Sequence, residues 1–153
     1  MMAGNPAGTS ESMALMKVLL RKCLLVPLLS LPMLCQASLF DATPLDAQQF
    51  NLGLVGFAGQ ISPAEQHLDD LLRRPEANAI LLSLIDDPAR SPVAKLYALC
   101  GLKRLGSGGY ETALGKMRGL DGQVSVMFGD QMLLEDIRQA AERIEHQQCD
   151  EGS

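Results

Sequence analysis

The sequence predicts an all-α fold: five or six short helices packed as stacked helical hairpins behind an N-terminal export signal. Three observations predict it. Ser62-Pro63 and Ser91-Pro92 give the same helix-start signal 29 residues apart. Apolar residues recur at spacings of three and four along most of the chain after residue 60. The connections between those stripes are short and rich in Gly, Pro and Asp.

The export signal comes first. Lys17, Arg21 and Lys22 form a positive patch, and an apolar run of 13 residues follows from Cys23 to Cys35. Cys35-Gln36-Ala37 then places small side chains at the first and third positions. Positive patch, short apolar run and small-x-small site are the three parts of a secretory signal. The run is below the roughly 18 residues of a membrane-spanning helix, and Pro27 and Pro32 weaken a helix meant to stay in the membrane. A buried core helix fits the run length alone. A lipid anchor at Cys35 fits poorly, because Leu34 precedes that cysteine. Residues 16–37 are therefore expected to be the signal and 38–153 a single helical domain starting at Ser38. Residues 1–15 carry no positive charge and read as a leader outside the working protein, with translation expected to begin at Met13 or Met16.

The domain is read element by element. Leu45 to Ala58 carries Phe50, Leu52, Leu54, Val55 and Phe57 and is expected as a helix, weakened by Gly53, Gly56 and Gly59. Ser62 caps the next helix, with Pro63 at its first position and Glu65 completing a capping box. Leu68, Leu71 and Leu72 give that helix its stripe, and Arg73 and Arg74 suit its negative end. Glu76 to Ile85 is apolar at Ala77, Ile80, Leu81, Leu84 and Ile85, one helical face, and Asp86-Asp87-Pro88 stops it. The helix from Pro92 to Leu105 is apolar on most sides and is expected to be the central buried one, with Gly101 allowing close approach of a neighbour. Gly106 caps it, Gly108-Gly109 turns the chain, and Tyr110 to Arg118 forms a shorter helix. Val124, Val126 and Phe128 alternate, but a lone strand has no ladder partner, so Gly122 to Gly129 is read as an extended connector. Asp130 is expected to cap a last helix with Leu133, Leu134, Ile137, Ala141 and Ile144 on one face and Arg138 and Glu142 as an exposed pair.

Pro92 to Leu105 resembles a repeat helix of the HEAT-like α-solenoid group. The stretch Leu96-Tyr97-Ala98-Leu99-Cys100-Gly101-Leu102 also looks like one found in small exported bacterial proteins. The resemblance covers about residues 60–120. It implies partner binding and no shared chemistry.

Charge narrows the partners. Removing residues 1–37 takes Lys17, Arg21, Lys22 and Glu11 from 13 basic and 18 acidic side chains, leaving 10 and 17, a net charge of −7 with histidine neutral. Nucleic acid and anionic membrane surfaces attract the opposite sign, so neither is an expected partner and the membrane enters only through the export signal. There is no Trp, and the aromatic residues are Phe40, Phe50, Phe57, Phe128, Tyr97 and Tyr110, which disfavours a carbohydrate platform. Cleavage leaves two cysteines, Cys100 and Cys149. In an oxidising compartment they read as one disulfide closing about 50 residues, worth ~4 kcal/mol on chain-entropy grounds. The other reading is a buried Cys100 thiol and a free Cys149 on a frayed tail.

The search for chemistry returns little. His67 and Asp70 share a helical face, but a metal needs a third ligand that the sequence does not offer. His146 lies in a polar tail. Gly106-Ser107-Gly108-Gly109 follows a helix and lacks the Lys-Ser/Thr of a phosphate loop. Asp69-Asp70 and Asp86-Asp87 are adjacent pairs that point different ways on a helix. No catalytic, cofactor or metal residue is expected. The leading expectation is an exported, non-catalytic helical interaction module, periplasmic or secreted, whose partner is another extracytoplasmic protein. The alternative is a small periplasmic hydrolase with a site assembled around His67 as base.

Overall fold

A computed structural model describes residues 40–55, 59–128, 130–146 and 149. The leader, the export signal and the expected start at Ser38 lie outside the described residues.

Among the described residues five α-helices carry the core: α1 (Pro63–Leu72), α2 (Ala77–Asp86), α3 (Pro92–Arg104), α4 (Tyr110–Arg118) and α5 (Ile137–His146). The two Ser-Pro signals work as expected. Ser62 Oγ accepts from Glu65 N–H and Ser91 Oγ from Ala94 N–H, each at 3.1 Å, satisfying one orphan donor at each helix start. The capping box at α1 is only half made. The Glu65 carboxylate turns away from Ser62 to accept from Gly53 N–H at 2.8 Å.

Helix α3 is central. Val93, Ala94, Leu96, Tyr97, Ala98, Leu99, Cys100, Gly101 and Leu102 are buried, and the helix packs against α1, α2, α4 and α5. It ends at a left-handed Gly106 (φ 59°), with Gly106 N–H bonded to Lys103 C=O at 2.9 Å and Ser107 N–H to Leu102 C=O at 3.0 Å. That pair of bonds is a Schellman cap.

The fold is mostly helical but not all-α, which corrects the sequence expectation in two places. Strands β4 (Gln123–Phe128) and β5 (Gln131–Asp136) form an antiparallel hairpin, and β1 (Phe50–Asn51) adds to β4 in parallel, in the order β1-β4-β5. The expected connector is thus a strand, and its partner is the segment assigned to the start of the last helix. Helix α5 begins at Ile137, with Ile137, Ala140, Ala141 and Ile144 buried. Asp136, not Asp130, caps it by accepting from Arg138 N–H at 2.8 Å. The Arg138 guanidinium bonds the same carboxylate at 3.1 Å, where a pair with Glu142 was expected.

The second correction concerns residues 45–58. A 3-10 turn (Thr43–Leu45), β1, and the strands β2 (Leu54–Val55) and β3 (Gln60–Ile61) replace the expected helix. β2 and β3 pair antiparallel, Leu54 opposite Ile61. Gly53 (φ 74°) and Gly59 (φ 57°) sit in left-handed conformations beside these strands, which a helix interior does not offer.

The pair Cys100 and Cys149 is a disulfide with Cα atoms 5.4 Å apart, so the free-thiol reading is set aside. No helix among the described residues is long and apolar enough to cross a membrane.

Candidate docking edge

The polar residues singled out in the sequence are occupied with holding the fold. His67 stacks on Phe40 at 4.7 Å, and its Nε2 donates to the Asp41 carbonyl at 2.6 Å. A carbonyl only accepts, so this bond places a proton on Nε2. Asp41 Oδ1 accepts from Thr43 N–H at 3.0 Å. His67 therefore ties the segment before the 3-10 turn to α1. Asp70 pairs with Arg73 and Asp69 with Arg104, each at 2.8 Å. Asp86 pairs with Lys116 across two helices, and Asp87 accepts from Ala89 N–H at 2.8 Å. His146 is exposed, 3.6 Å from Glu145. Ser107 accepts from Gly109 N–H at 3.1 Å and donates to Asn78 at 2.5 Å, so it organises a turn. Among the described residues no three His, Cys, Asp or Glu side chains converge as metal ligands.

Two half-buried carboxylates have displaced acidities. Burial pushes the Glu65 carboxyl above its ordinary value, and nearby Asp69 adds to the shift against the pull of Gly53 N–H and Arg104. Burial also raises Glu135, opposed by its close ion pair with Arg143. The second Glu135 oxygen, Oε1, is buried with no hydrogen-bond partner.

A shallow hollow of about 280 Å³ opens between the α1–α2 and α3–α4 connections, walled by Arg74, Pro75, Asn78 and Leu105. Its polar groups are spoken for. Arg74 lies 5.4 Å over the Phe40 ring, and Asn78 accepts from Ser107.

The feature without a structural explanation is β5. Met132 is 64% exposed, Leu133 46% and Leu134 63%. The register pairs Val124 with Glu135 and Val126 with Leu133, so these four share one face. Val124 and Val126 are buried, which makes that the core face. Leu133 sits on it but at the margin, where the core ends. Met132 and Leu134 lie on the opposite, outer face, across from Met127 and Ser125. β5 is also an edge: among the described strands it pairs with β4 alone. An edge strand presents unpaired N–H and C=O groups, and natural edges are blunted with charged side chains, lysine above all, with proline, with a bulge or with an inward-pointing charge. β5 has no lysine or proline and no bulge against β4 from Gln131 to Asp136. Its charges, Glu135 and Asp136, lie at one end and are paired with Arg143 and Arg138, which leaves Met132 to Leu134 unguarded.

The edge is hidden in the sequence: Leu133-Leu134 fits a helical stripe, in which apolar residues are expected to face the interior. The signal that could have found it is Gly129-Asp130, a glycine-led dipeptide between an alternating segment and a second apolar run, which is a two-residue hairpin pattern.

No known protein family, curated protein or solved structure matches the chain.

Proposed function

We propose that the protein is an exported, non-catalytic interaction module that binds a protein chain outside the cytoplasm by strand addition at β5. The observation that carries this reading is the run Met132-Leu133-Leu134, exposed on both faces of an unpaired edge. Strand addition takes its affinity from main-chain hydrogen bonds and its specificity from alternate side chains, and β5 supplies both. The helices serve as a rigid frame: α5 follows β5 directly, and Arg143 reaches from it to Glu135. The Cys100–Cys149 disulfide fits an oxidising compartment, in keeping with the export signal. The HEAT-like resemblance of about residues 60–120 carries partner binding as its implication.

Photo-crosslinking in the native cells tests the reading. A crosslinking side chain is placed at position 132 or 134, and at the exposed helical positions 111 and 142 for comparison. Adducts concentrated at 132 and 134 support a binding edge. Equal yields at all four positions overturn it.

A further inference from the structure

An incoming strand at β5 meets an unusual demand. It must offer apolar side chains at adjacent positions on both faces, because Leu133 lies on the core face and Met132 and Leu134 on the outer one. Among the described residues, only β5 itself carries three consecutive large apolar side chains that are exposed. Deepening the reading of β5 as a binding edge, on which the following rests, we propose that the occupant is the β5 strand of a second copy. The two strands run antiparallel about a two-fold axis at Leu133.

Side-chain pairing selects that register. With the axis at Leu133, Leu133 faces Leu133 of the second copy, Met132 faces Leu134, and Gln131 faces Glu135. Apolar meets apolar and Glu135 meets an amide, while Asp130 and Asp136 face each other at the two ends of the paired segment, so that like charges there are relieved by salt. Moving the axis to Leu134 sets Met132 against Asp136 and Leu133 against Glu135. Moving it to Met132 sets Leu134 against Asp130. Both shifted registers bury carboxylates against apolar groups, which is costly.

Backbone geometry agrees. Hydrogen-bonded and non-bonded pairs alternate along an antiparallel ladder. With Phe128 and Gln131 as the bonded pair flanking a two-residue connection, Val126 and Leu133 are also bonded. Met132 and Leu134 then direct their N–H and C=O groups away from β4. In the Leu133-centred register these are the groups that meet, Met132 of each copy exchanging both bonds with Leu134 of the other. The result is one continuous sheet in the order β1-β4-β5-β5-β4-β1.

Two magnitudes set the expected behaviour. One short strand from each copy buries less than the roughly 800 Å² per partner of a standard stable interface, so the dimer forms reversibly and with concentration. Two acidic copies also repel over distances comparable to the Debye length, about 8 Å at physiological ionic strength, so added salt strengthens the dimer.

The test uses the full chain, expressed with its N-terminal segment and purified oxidised in the form that the cell delivers. Sedimentation equilibrium from about 1 μM to 1 mM should show a monomer–dimer equilibrium that tightens with salt, a span that reads dissociation constants across three decades. Leu134→Lys should weaken association at least about tenfold while its thermal melt stays at the wild-type value, because the side chain is 63% exposed. Amide exchange should slow with concentration at Met132 and Leu134 and stay constant at Leu133. A monomer up to 1 mM, or a dimer indifferent to Leu134→Lys, overturns self-pairing. The photo-crosslinks separate the two failures. Adducts at 134 that contain only foreign protein leave the binding edge standing and remove the second copy as its occupant. The absence of preferred adducts removes both.

Discussion

The Tyr97 hydroxyl and the Asn51 backbone bond each other twice. Tyr97 Oη accepts from Asn51 N–H at 3.0 Å and donates to Asn51 C=O at 2.9 Å. The central helix α3 is thereby pinned to β1, the strand that begins the sheet order leading to the exposed edge. Ser62 Oγ stands 3.4 Å from the same hydroxyl, and the Phe50 ring packs edge-on at 4.8 Å.

Tyr97→Phe keeps the ring and removes both bonds. Asn51 is buried, so its N–H and C=O are left without the partners that satisfied them. An unsatisfied buried group costs about 1–3 kcal/mol, and the variant should lose that much in urea unfolding with an unchanged slope. A loss below about 0.5 kcal/mol, the range of an ordinary surface change, would show that the doubled bond carries no weight.

Gly101 is where α3 meets α1 and α2. A Cβ there would stand 2.9 Å from Leu81 Cδ1 and 3.0 Å from Leu68 Cδ1. Alanine gains about 1 kcal/mol in helix propensity, whereas overpacking a tight core costs about 1–3 kcal/mol. Gly101→Ala should therefore be destabilising in the wild-type background, because both leucines are fully buried. The Leu81→Ala background removes the nearest contact, and there Gly101→Ala should become stabilising. Four unfolding curves make the double-mutant cycle. A coupling near zero would refute the close approach.

The sequence made some of this architecture readable and hid the rest for identifiable reasons. The starts of α1 and α3 were readable because capping is local: Ser-Pro names its own helix and needs no distant residue. The sheet was hidden because its pairing is not local. Val126 takes Phe50 on one side and Leu133 on the other, and Leu133-Leu134 fits a helical stripe as readily as a strand. A helix over residues 131–136 leaves β4 with no sequence neighbour to pair with, so in the sequence it reads as a connector. Gly53 and Gly59 were read as weaknesses in a helix when they are turn positions. The disulfide was readable because the expected signal holds two of the four cysteines and leaves Cys100 and Cys149 as a pair. The docking edge was hidden for a different reason. Sequence pattern marks a residue as apolar, and only the sheet shows that Met132 and Leu134 face outward.

The disulfide and one lysine hold the same end of α5. Lys103 Nζ donates to Ile144 C=O at 2.6 Å and to Glu145 C=O at 3.1 Å, satisfying the last carbonyls of that helix and meeting its negative end. Cys100, about one turn earlier on α3, is bonded to Cys149 just beyond α5. Replacing both cysteines with serine should cost about 2–5 kcal/mol, and Lys103→Met about 1.5–3 kcal/mol as a lost charged hydrogen bond. Both should speed amide exchange in α5 before other helices. A uniform rise across all helices would mean that the two clamps act on the whole core instead.

Acid stability should depend on two carboxylates of opposite sense. Burial works to raise the Asp46 carboxyl, but bonds from Ser91 N–H and from the Arg90 guanidinium outweigh it and hold the group below its ordinary 3.8. Those bonds measure 2.9 and 2.7 Å, and they tie the residue after the 3-10 turn to the cap of α3. A depressed acid stabilises the fold at pH values above its unfolded value and loses that contribution as pH falls through its folded one. Asp46→Asn should therefore lower stability at neutral pH and flatten the decline below pH 3.8. Glu65 runs the other way. Its folded acidity is raised above the ordinary 4.5, so the folded state holds the proton more tightly, and stability falls as pH rises from 4.5 through the folded value. Glu65→Gln should lessen the slope of that upper segment, the remainder belonging to the likewise raised Glu135, and leave the lower one intact. Urea midpoints taken from pH 2 to pH 7 for the three proteins resolve the two windows. If Asp46→Asn instead flattens the segment above pH 4.5, the assignment of the acid limb to Asp46 fails.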